Sequence, residues 1–289
     1  MAKRKAQEAN GKAPEHNAMD EDSGSEDDID MLDVDFEWFG PQEQDFHGLK
    51  ALLRQLLDAD ATLHDLSALA DLILSQPNLG STVKCEGPES DPFAFLTVLN
   101  LKTHATVPAI QSLTKYLTTR SKTNPSLSQL TALLSDDKAE IGLILTEKLI
   151  NMPSEIVPPL YTMLLEEMAA ARAAKEPYNF THYLILSKTY TEVASELDTP
   201  DGPKKKKSRQ NGTASDVFFF HPEDEVLQRH AVCAGGWDYE KVSEGGADSR
   251  RAFQEEGIKP SGFAVLIEQG KFEGAVKAVA EYLGGPGQG

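Results

Sequence analysis

The densest group of side chains that could do chemistry is His221-Pro222-Glu223-Asp224-Glu225. A histidine beside three carboxylates could form a carboxylate–histidine site for a metal ion or for proton transfer. A proline followed by acidic residues is also typical of a helix N-terminus, where the positive end of the dipole favours carboxylates. We favour the second interpretation and predict that Pro222 starts a short helix near residues 222–230.

The other residues that often carry catalysis lack the spacing that a catalytic or metal site requires. The seven histidines show no HExxH or HxH spacing, and Cys85 and Cys233 lie far apart without a CxxC pair. The motifs GxGxxG, GxxxxGK[ST] and GxSxG are also missing from the sequence. We therefore predict no catalytic residue, no cofactor and no metal. Two unpaired cysteines fit a reducing compartment.

Charge is the feature in which this chain departs most from an ordinary composition. The 28 Lys and Arg residues face 46 Asp and Glu residues, which gives a formal net charge of −18. Because nucleic-acid affinity comes mainly from cations that neutralise phosphates, we expect no direct nucleic-acid binding. A cationic protein partner fits this charge better. The sequence shows neither a secretory signal nor a membrane-spanning run, so we expect a soluble intracellular protein.

A block of ten carboxylates is the candidate contact with a basic partner. No Lys or Arg lies between Ala13 and Leu49 to neutralise it. The strict alternation of Leu32-Asp33-Val34-Asp35-Phe36-Glu37-Trp38 predicts a strand that would present part of the block on a fixed scaffold. A solubilising tail without a binding role is the alternative. The candidate client-binding residues are Asp20, Glu21, Asp22, Glu26, Asp27, Asp28, Asp30, Asp33, Asp35 and Glu37.

Two short basic clusters stand against this acidic background and predict nuclear import. They are Lys3-Arg4-Lys5 and Lys204, Lys205, Lys206 and Lys207. The second lies in a polar stretch, residues 198–215, that we interpret as an exposed loop; a solvated loop without a function is the alternative. Ser23 and Ser25 each precede an acidic residue by three positions and are candidate phosphorylation sites, where a phosphate would add to the acidic block.

The order of apolar periods predicts an α/β fold with a single mixed sheet and helices on both faces. We predict a disordered acidic tail over residues 1–28, one domain over 29–284 that the basic loop interrupts, and a frayed end at 285–289.

Pro108 marks the first turn of one helix, and Ser154 is predicted to cap another. Gly235-Gly236-Trp237 is interpreted as a turn before a strand, with Trp237 in the core. The predicted strands include 80–86, 93–99, Ile141–Ile150, His182–Thr191, 216–220 and Gly262–Glu268.

Two long segments resemble one known family. DVDFEWFGPQEQDFHGLKALLRQLL and FFFHPEDEVLQRHAVCAGGWDY are similar to the BCCIP family, and to its fungal members in particular. The resemblance implies nuclear proteins whose fold is like that of the GNAT acetyltransferases but lacks a coenzyme A site. It also implies that fungal members take part in nuclear export of a lipid kinase and act as a chaperone for a large-subunit ribosomal protein. Animal members bind a breast-cancer susceptibility protein and a cyclin-dependent kinase inhibitor.

These observations together predict a non-enzymatic nuclear escort for a basic ribosomal protein, working with nuclear transport factors and shuttling to the cytoplasm. A scaffold in genome maintenance or cell-cycle control is the first alternative. An acetyltransferase is the second, and it is disfavoured because no [RQ]xxGx[GA] loop, which would hold the coenzyme A pyrophosphate at a helix N-terminus, follows any predicted strand.

Overall fold

One mixed β-sheet organises the chain, as the sequence predicts. The computed structural model describes residues 35–76, 78–136, 138–192, 217–241 and 257–284. Within those ranges the sheet has eight strands in the order β1-β2-β3-β4-β5-β8-β7, with β6 paired to β5 beside this path. The strands are β1 (Glu37–Phe39), β2 (Ser81–Lys84), β3 (Ala94–Asn100), β4 (Ile141–Lys148), β5 (His182–Glu192), β6 (Val217–Phe219), β7 (Cys233–Trp237) and β8 (Ile258–Glu268).

The sheet is mixed because one pair of neighbouring strands is parallel. β4 and β5 run in the same direction, whereas every other pair is antiparallel. A parallel pair needs a crossover connection, and the long helix between β4 and β5 supplies it. β3, β4 and the first half of β5 are buried nearly throughout. Their continuous apolar character follows from being covered on both sides.

Helices cover both faces of the sheet, which confirms the predicted layers. The described helices are α1 (Phe46–Leu57), α2 (Leu66–Leu74), α3 (Pro108–Thr123), α4 (Ser128–Leu134), α5 (Val157–Ala173), α6 (Pro222–Leu227) and α7 (Gln269–Leu283). Helices α1 to α4 pack with Leu184 and Leu186 in one apolar cluster. Helices α5 to α7 pack with Tyr183 and Ile185 in a second. Successive side chains of β5 therefore supply the two cores alternately. No helix in the described ranges is long and apolar enough to cross a membrane.

The predicted turn at Gly235-Gly236 is wrong, because both glycines lie inside edge strand β7. A Cβ atom on Gly235 would lie 2.7 Å from Nδ2 of Asn124, so the glycine leaves room for that side chain. Asn124 Nδ2 in turn donates a 2.8 Å hydrogen bond to the carbonyl oxygen of Gly236. The predicted core position of Trp237 is confirmed, and its indole nitrogen donates to the hydroxyl of Tyr116 at 2.8 Å.

The predicted cap at Ser154 is also wrong. Ser154 begins a short 3-10 turn that continues directly into α5, and no side chain caps the first residue of that helix. The physical reason lies in Pro158 and Pro159, since prolines in a first helical turn have no amide hydrogen that needs a partner. Pro108 does begin α3, as predicted.

The acidic strand is confirmed only in its last residues. Phe36 and Trp38 are half-buried and pack on the second apolar cluster, while Asp35 and Glu37 are exposed. From residue 35 onward, the alternation of acidic and apolar residues therefore predicts correctly which side chains face the solvent and which face the core. Residues 1–34, including Leu32, Asp33 and Val34, lie outside the described residues, as do the basic loop at 198–215 and the last residues, 285–289.

Candidate functional site

The parallel strands β4 and β5 separate before they end, and this is where open α/β sheets usually bind ligands. They pair from Ile141↔His182 to Leu145↔Leu186 and no further. β8 pairs with β5 over its full length on the other edge. β6 must therefore pair with β5 at Thr189–Thr191 on the edge that β4 has left. The gap between the diverging strands is thus bounded by β6 and by the start of α6.

Charged and polar side chains fill this gap and form a buried charge cluster, defined here as Glu147, Ser187, Lys188, His221, Glu223 and Asp224. Lys188 Nζ lies 2.7 Å from Glu147 Oε2, and His221 Nε2 lies 3.1 Å from Glu147 Oε1. Both are close contacts between groups of opposite charge, and the second is an ion pair when His221 is protonated. The Lys188 ammonium also donates to the carbonyl oxygen of Gln55 at 3.0 Å. One carboxylate thus joins β4 to β5 and to the residue that precedes α6.

The acidic first turn of α6 faces this cluster, not the solvent. Pro222 begins α6, so the predicted helix start is confirmed. Glu223 and Asp224 are nevertheless buried. Glu223 Oε1 lies 3.7 Å from His221 Nδ1, and Asp224 Oδ2 accepts a hydrogen bond from the Ser187 hydroxyl. The start of the helix could thus be predicted from Pro222 and the acidic residues, whereas the burial of Glu223 and Asp224 depends on tertiary contacts.

Burial and neighbouring charges shift the titrations of this cluster in different directions. Burial acts to raise the pKa of Glu147, but the charges of His221 and Lys188 outweigh it and lower the pKa to about 2. Burial acts to lower the pKa of His221, yet the surrounding carboxylates, first of all Glu147, raise it. Burial raises the pKa of Asp224 to about 7, against the opposing effect of His221. The cluster therefore keeps Glu147 ionised and favours the protonated form of His221.

The geometry of the buried charge cluster suits a structural role better than a catalytic one. The side chains of Glu147, Lys188 and His221 are at most 8% exposed, and Glu147 contacts both of the other two. In the described ranges no group of three or more His, Cys, Asp or Glu residues is arranged to hold a metal ion. A buried carboxylate that bridges two cations from different elements orders those elements, because separating them would leave a charge unpaired.

A second buried ion pair fixes the start of the sheet. Lys84 Nζ lies 2.5 Å from Asp45 Oδ1, both side chains are fully buried, and the same ammonium donates to the carbonyl oxygen of Pro88. Asp45 also accepts from the backbone amide of Gln42 at 3.0 Å. These bonds hold the segment before α1 against β2 and the turn that follows it. Lys84 is therefore paired in the interior and adds no positive charge to the protein surface at this place.

Several exposed carboxylates lie on segments close to this ion pair, and we call this group the acidic corner. Glu37 of β1 is the register partner of Lys84, the last residue of β2. Gln44 Nε2 reaches the carbonyl oxygen of Pro88 at 3.2 Å, which brings the segment before α1 to the same place. The exposed carboxylates of this corner are Asp35, Glu37, Glu43, Glu86 and Glu89.

Only part of the predicted client-binding set can be placed. Asp35 and Glu37 lie in the acidic corner. The other eight acidic residues lie outside the described residues, as do both basic clusters and both candidate phosphorylation serines. Glu147 and Lys188 were not predicted as site residues. The available signal was the presence of charged residues inside two largely apolar strands, Glu147 beside Lys148 in β4 and Lys188 in β5, since charged residues are rarely fully buried unless paired.

Comparisons with known proteins agree on one family. The family model described as BCCIP matches residues 31–227. Protein bcp1 of Emericella nidulans is 61% identical over 262 residues, which cover 90% of each chain. Protein bcp1 of Schizosaccharomyces pombe is 47% identical over 258 residues, 88% of this chain and 91% of that one. The crystal structure of BCP1 from Saccharomyces cerevisiae is similar with a TM-score of 0.58 and 27% identity, over 91% of this chain and 93% of that one.

Proposed function

This chain belongs to the BCCIP family and is of the Bcp1 type, and on that premise we propose that it is a non-enzymatic nuclear escort for a basic ribosomal protein of the large subunit. In this proposal it shields the client before ribosome assembly and takes part in nuclear export of client proteins, among them a lipid kinase. The observation that carries the proposal is the combination of family membership with a net charge of −18.

The charge supports a cationic client for a physical reason. A free ribosomal protein carries unpaired cationic surface that attracts any RNA through counterion release. An acidic escort competes for that surface, and its field steers encounter with the basic client while it repels phosphate backbones. The exposed carboxylates of the acidic corner stand on a sheet edge that the Lys84–Asp45 pair holds in place. We assign client contact to this corner together with the acidic residues that precede it in the chain.

The non-enzymatic part of the proposal is supported by the way the sheet ends. The crevice where parallel strands diverge commonly receives a ligand. Here Glu147, Lys188 and His221 occupy that place with their own ion pairs. An acyl donor would have to displace buried charges that stabilise one another. Nuclear location rests on the two basic clusters in the sequence.

The experiment that tests this proposal measures client binding directly. Purified large-subunit ribosomal proteins are titrated one by one into the full-length chain, at rising salt, with a fluorescence or calorimetric readout. We expect one of them to bind in a one-to-one ratio, with an affinity that falls steeply as salt screens the charges. Affinity that stays constant from low to moderate salt would contradict a charge-led interface.

A double substitution that reverses two charges tests whether the client binds at the acidic corner. Asp35→Lys with Glu37→Lys is expected to weaken client binding at least severalfold, because it turns attraction into repulsion at the acidic corner. The matched control reverses Glu273 and Glu281, two exposed acids on α7 that change the net charge equally. Equal weakening by both pairs would mean that only the total charge matters and would refute the assignment to the corner.

A further inference from the structure

A cleft between α3 and α4 has the opposite electrostatic character from the rest of this acidic chain. It has a volume of about 760 Å³. Among the described residues, its lining includes Lys102, Lys115 and Lys122, with Asp136 as the single carboxylate. Lys102 pairs with Glu140 at 2.6 Å, but no ion pair to another described residue occupies Lys115 or Lys122. Both of these α3 lysines are exposed.

The sequence around the cleft is depleted of acid. Residues 92–135 contain no Asp and no Glu, although the chain carries 46 such residues in 289, about one in every six. That stretch includes β3, α3 and α4, the elements that build the cleft. The basic character of the cleft is therefore a property of a whole segment and not of two isolated lysines.

The floor of the cleft is apolar. Ile110 on α3 and Ile141 on β4 are almost fully buried beneath it, and Leu133 and Leu134 of α4 are half-buried at its wall. Thr118 and Lys122 lie one helical turn apart on α3 and belong to the rim. A cationic rim over an aliphatic floor is the complement of an amphipathic segment whose polar side is acidic.

We propose that this α3–α4 groove docks an acidic amphipathic segment of a partner protein, with leucine-like side chains on the floor and carboxylates at Lys115 and Lys122. RNA fits the groove less well, because single-stranded RNA is held by aromatic or arginine side chains that stack on bases, and this lining supplies neither. The groove is separate from the acidic corner, so it gives the chain a second contact of opposite charge preference.

The test uses the full-length chain and a synthetic helical peptide of about 18 residues, with leucines at i, i+3, i+4 and i+7 and glutamates elsewhere. A peptide of the same composition in scrambled order reports charge alone. Two variants disable the groove in different ways: Lys115→Glu with Lys122→Glu reverses the rim, and Thr114→Trp fills the opening from the surface of α3. The control, Lys271→Glu with Lys277→Glu, makes the same charge change on α7.

We expect the patterned peptide to bind, with both groove variants weakening it about tenfold and the α7 control leaving it nearly unchanged. Equal binding of the scrambled peptide would overturn the groove as a docking site, and so would no binding at all.

Loss of poly(U) RNA binding in the same variants, without peptide binding, would assign the groove to nucleic acid and overturn the proposal. Tighter binding of a peptide of residues 20–37 of this chain than of the designed peptide would make the occupant intramolecular and would also overturn the proposal. Binding of the basic client should persist in both groove variants, which separates this test from that of the proposed function.

Discussion

Replacing Glu147 with glutamine should destabilise the protein strongly, because it removes a carboxylate that bridges two buried basic side chains. Lys188 and His221 would keep their burial and lose their common partner. A pKa of about 2 against an ordinary value of 4.5 corresponds to about 3 kcal/mol in favour of the ionised carboxylate. Breaking a buried ion pair by removing one partner typically costs about 3–5 kcal/mol. We therefore expect the free energy of unfolding to fall by about 3 kcal/mol.

The assay is urea unfolding followed by circular dichroism at pH 7. Because the folded pKa of Glu147 lies below its ordinary value, its contribution is fully present above about pH 4.5 and is lost as pH falls through about 2. The control is Glu273→Gln, which removes a carboxylate from an exposed ion pair on α7 and should leave the transition unchanged. Adding Lys188→Met to Glu147→Gln should cost less than the sum of the two single changes.

A loss below about 1 kcal/mol with an unchanged urea dependence would refute the reasoning, since a bridged and fully buried carboxylate cannot be removed so cheaply. Strict additivity of the Glu147 and Lys188 changes would equally contradict a direct interaction between them.

Four further outcomes concern the charge cluster and two glycines. Burial raises the pKa of Asp224 to about 7 from 3.8, and the pKa of His221 is also raised, so both contributions to stability are lost as pH rises and the wild type should be less stable at pH 8 than at pH 5. Asp224→Asn should make that fall smaller in urea titrations at the two pH values; an identical fall would contradict it. Gly262→Ala should cost about 1–3 kcal/mol, because its Cβ would lie 2.6 Å from the buried ring of Trp237. Gly274→Ala, in open space within α7, should instead raise the thermal midpoint, and a midpoint lowered by both changes would contradict this distinction.

The strands and helices with long apolar periods could be predicted from the sequence because their pattern is local. β3 and β4, covered on both sides, begin as predominantly apolar runs, and the stripe on α1 repeats over three turns. α4 was not predicted, since seven residues hold too few repeats to show a period. β7 was wrongly interpreted as a turn because its glycines are explained by a distant contact. Gly235 leaves room for Asn124, more than a hundred positions away, and Gly236 accepts a hydrogen bond from it.

The buried charge cluster could not be predicted for a related reason. Glu147 lies in β4, Lys188 in β5 and His221 directly before α6, and their meeting depends on the divergence of β4 and β5. The sequence marks His221, Glu223 and Asp224 as a polar group, but it does not show that Glu147 and Lys188 join them. The acidic corner was partly foreseen, because the alternation around Asp35 and Glu37 is local. Its other members join through tertiary contacts of Gln44 and the turn after β2.

The most direct test of the proposed escort function is affinity purification of the tagged full-length chain from nuclear extract at moderate salt, followed by mass spectrometry. We expect one basic large-subunit ribosomal protein in near-stoichiometric amount, without the rest of the subunit. A preparation dominated by repair or cell-cycle proteins, with free ribosomal proteins missing, would contradict the proposal and favour a scaffold in genome maintenance.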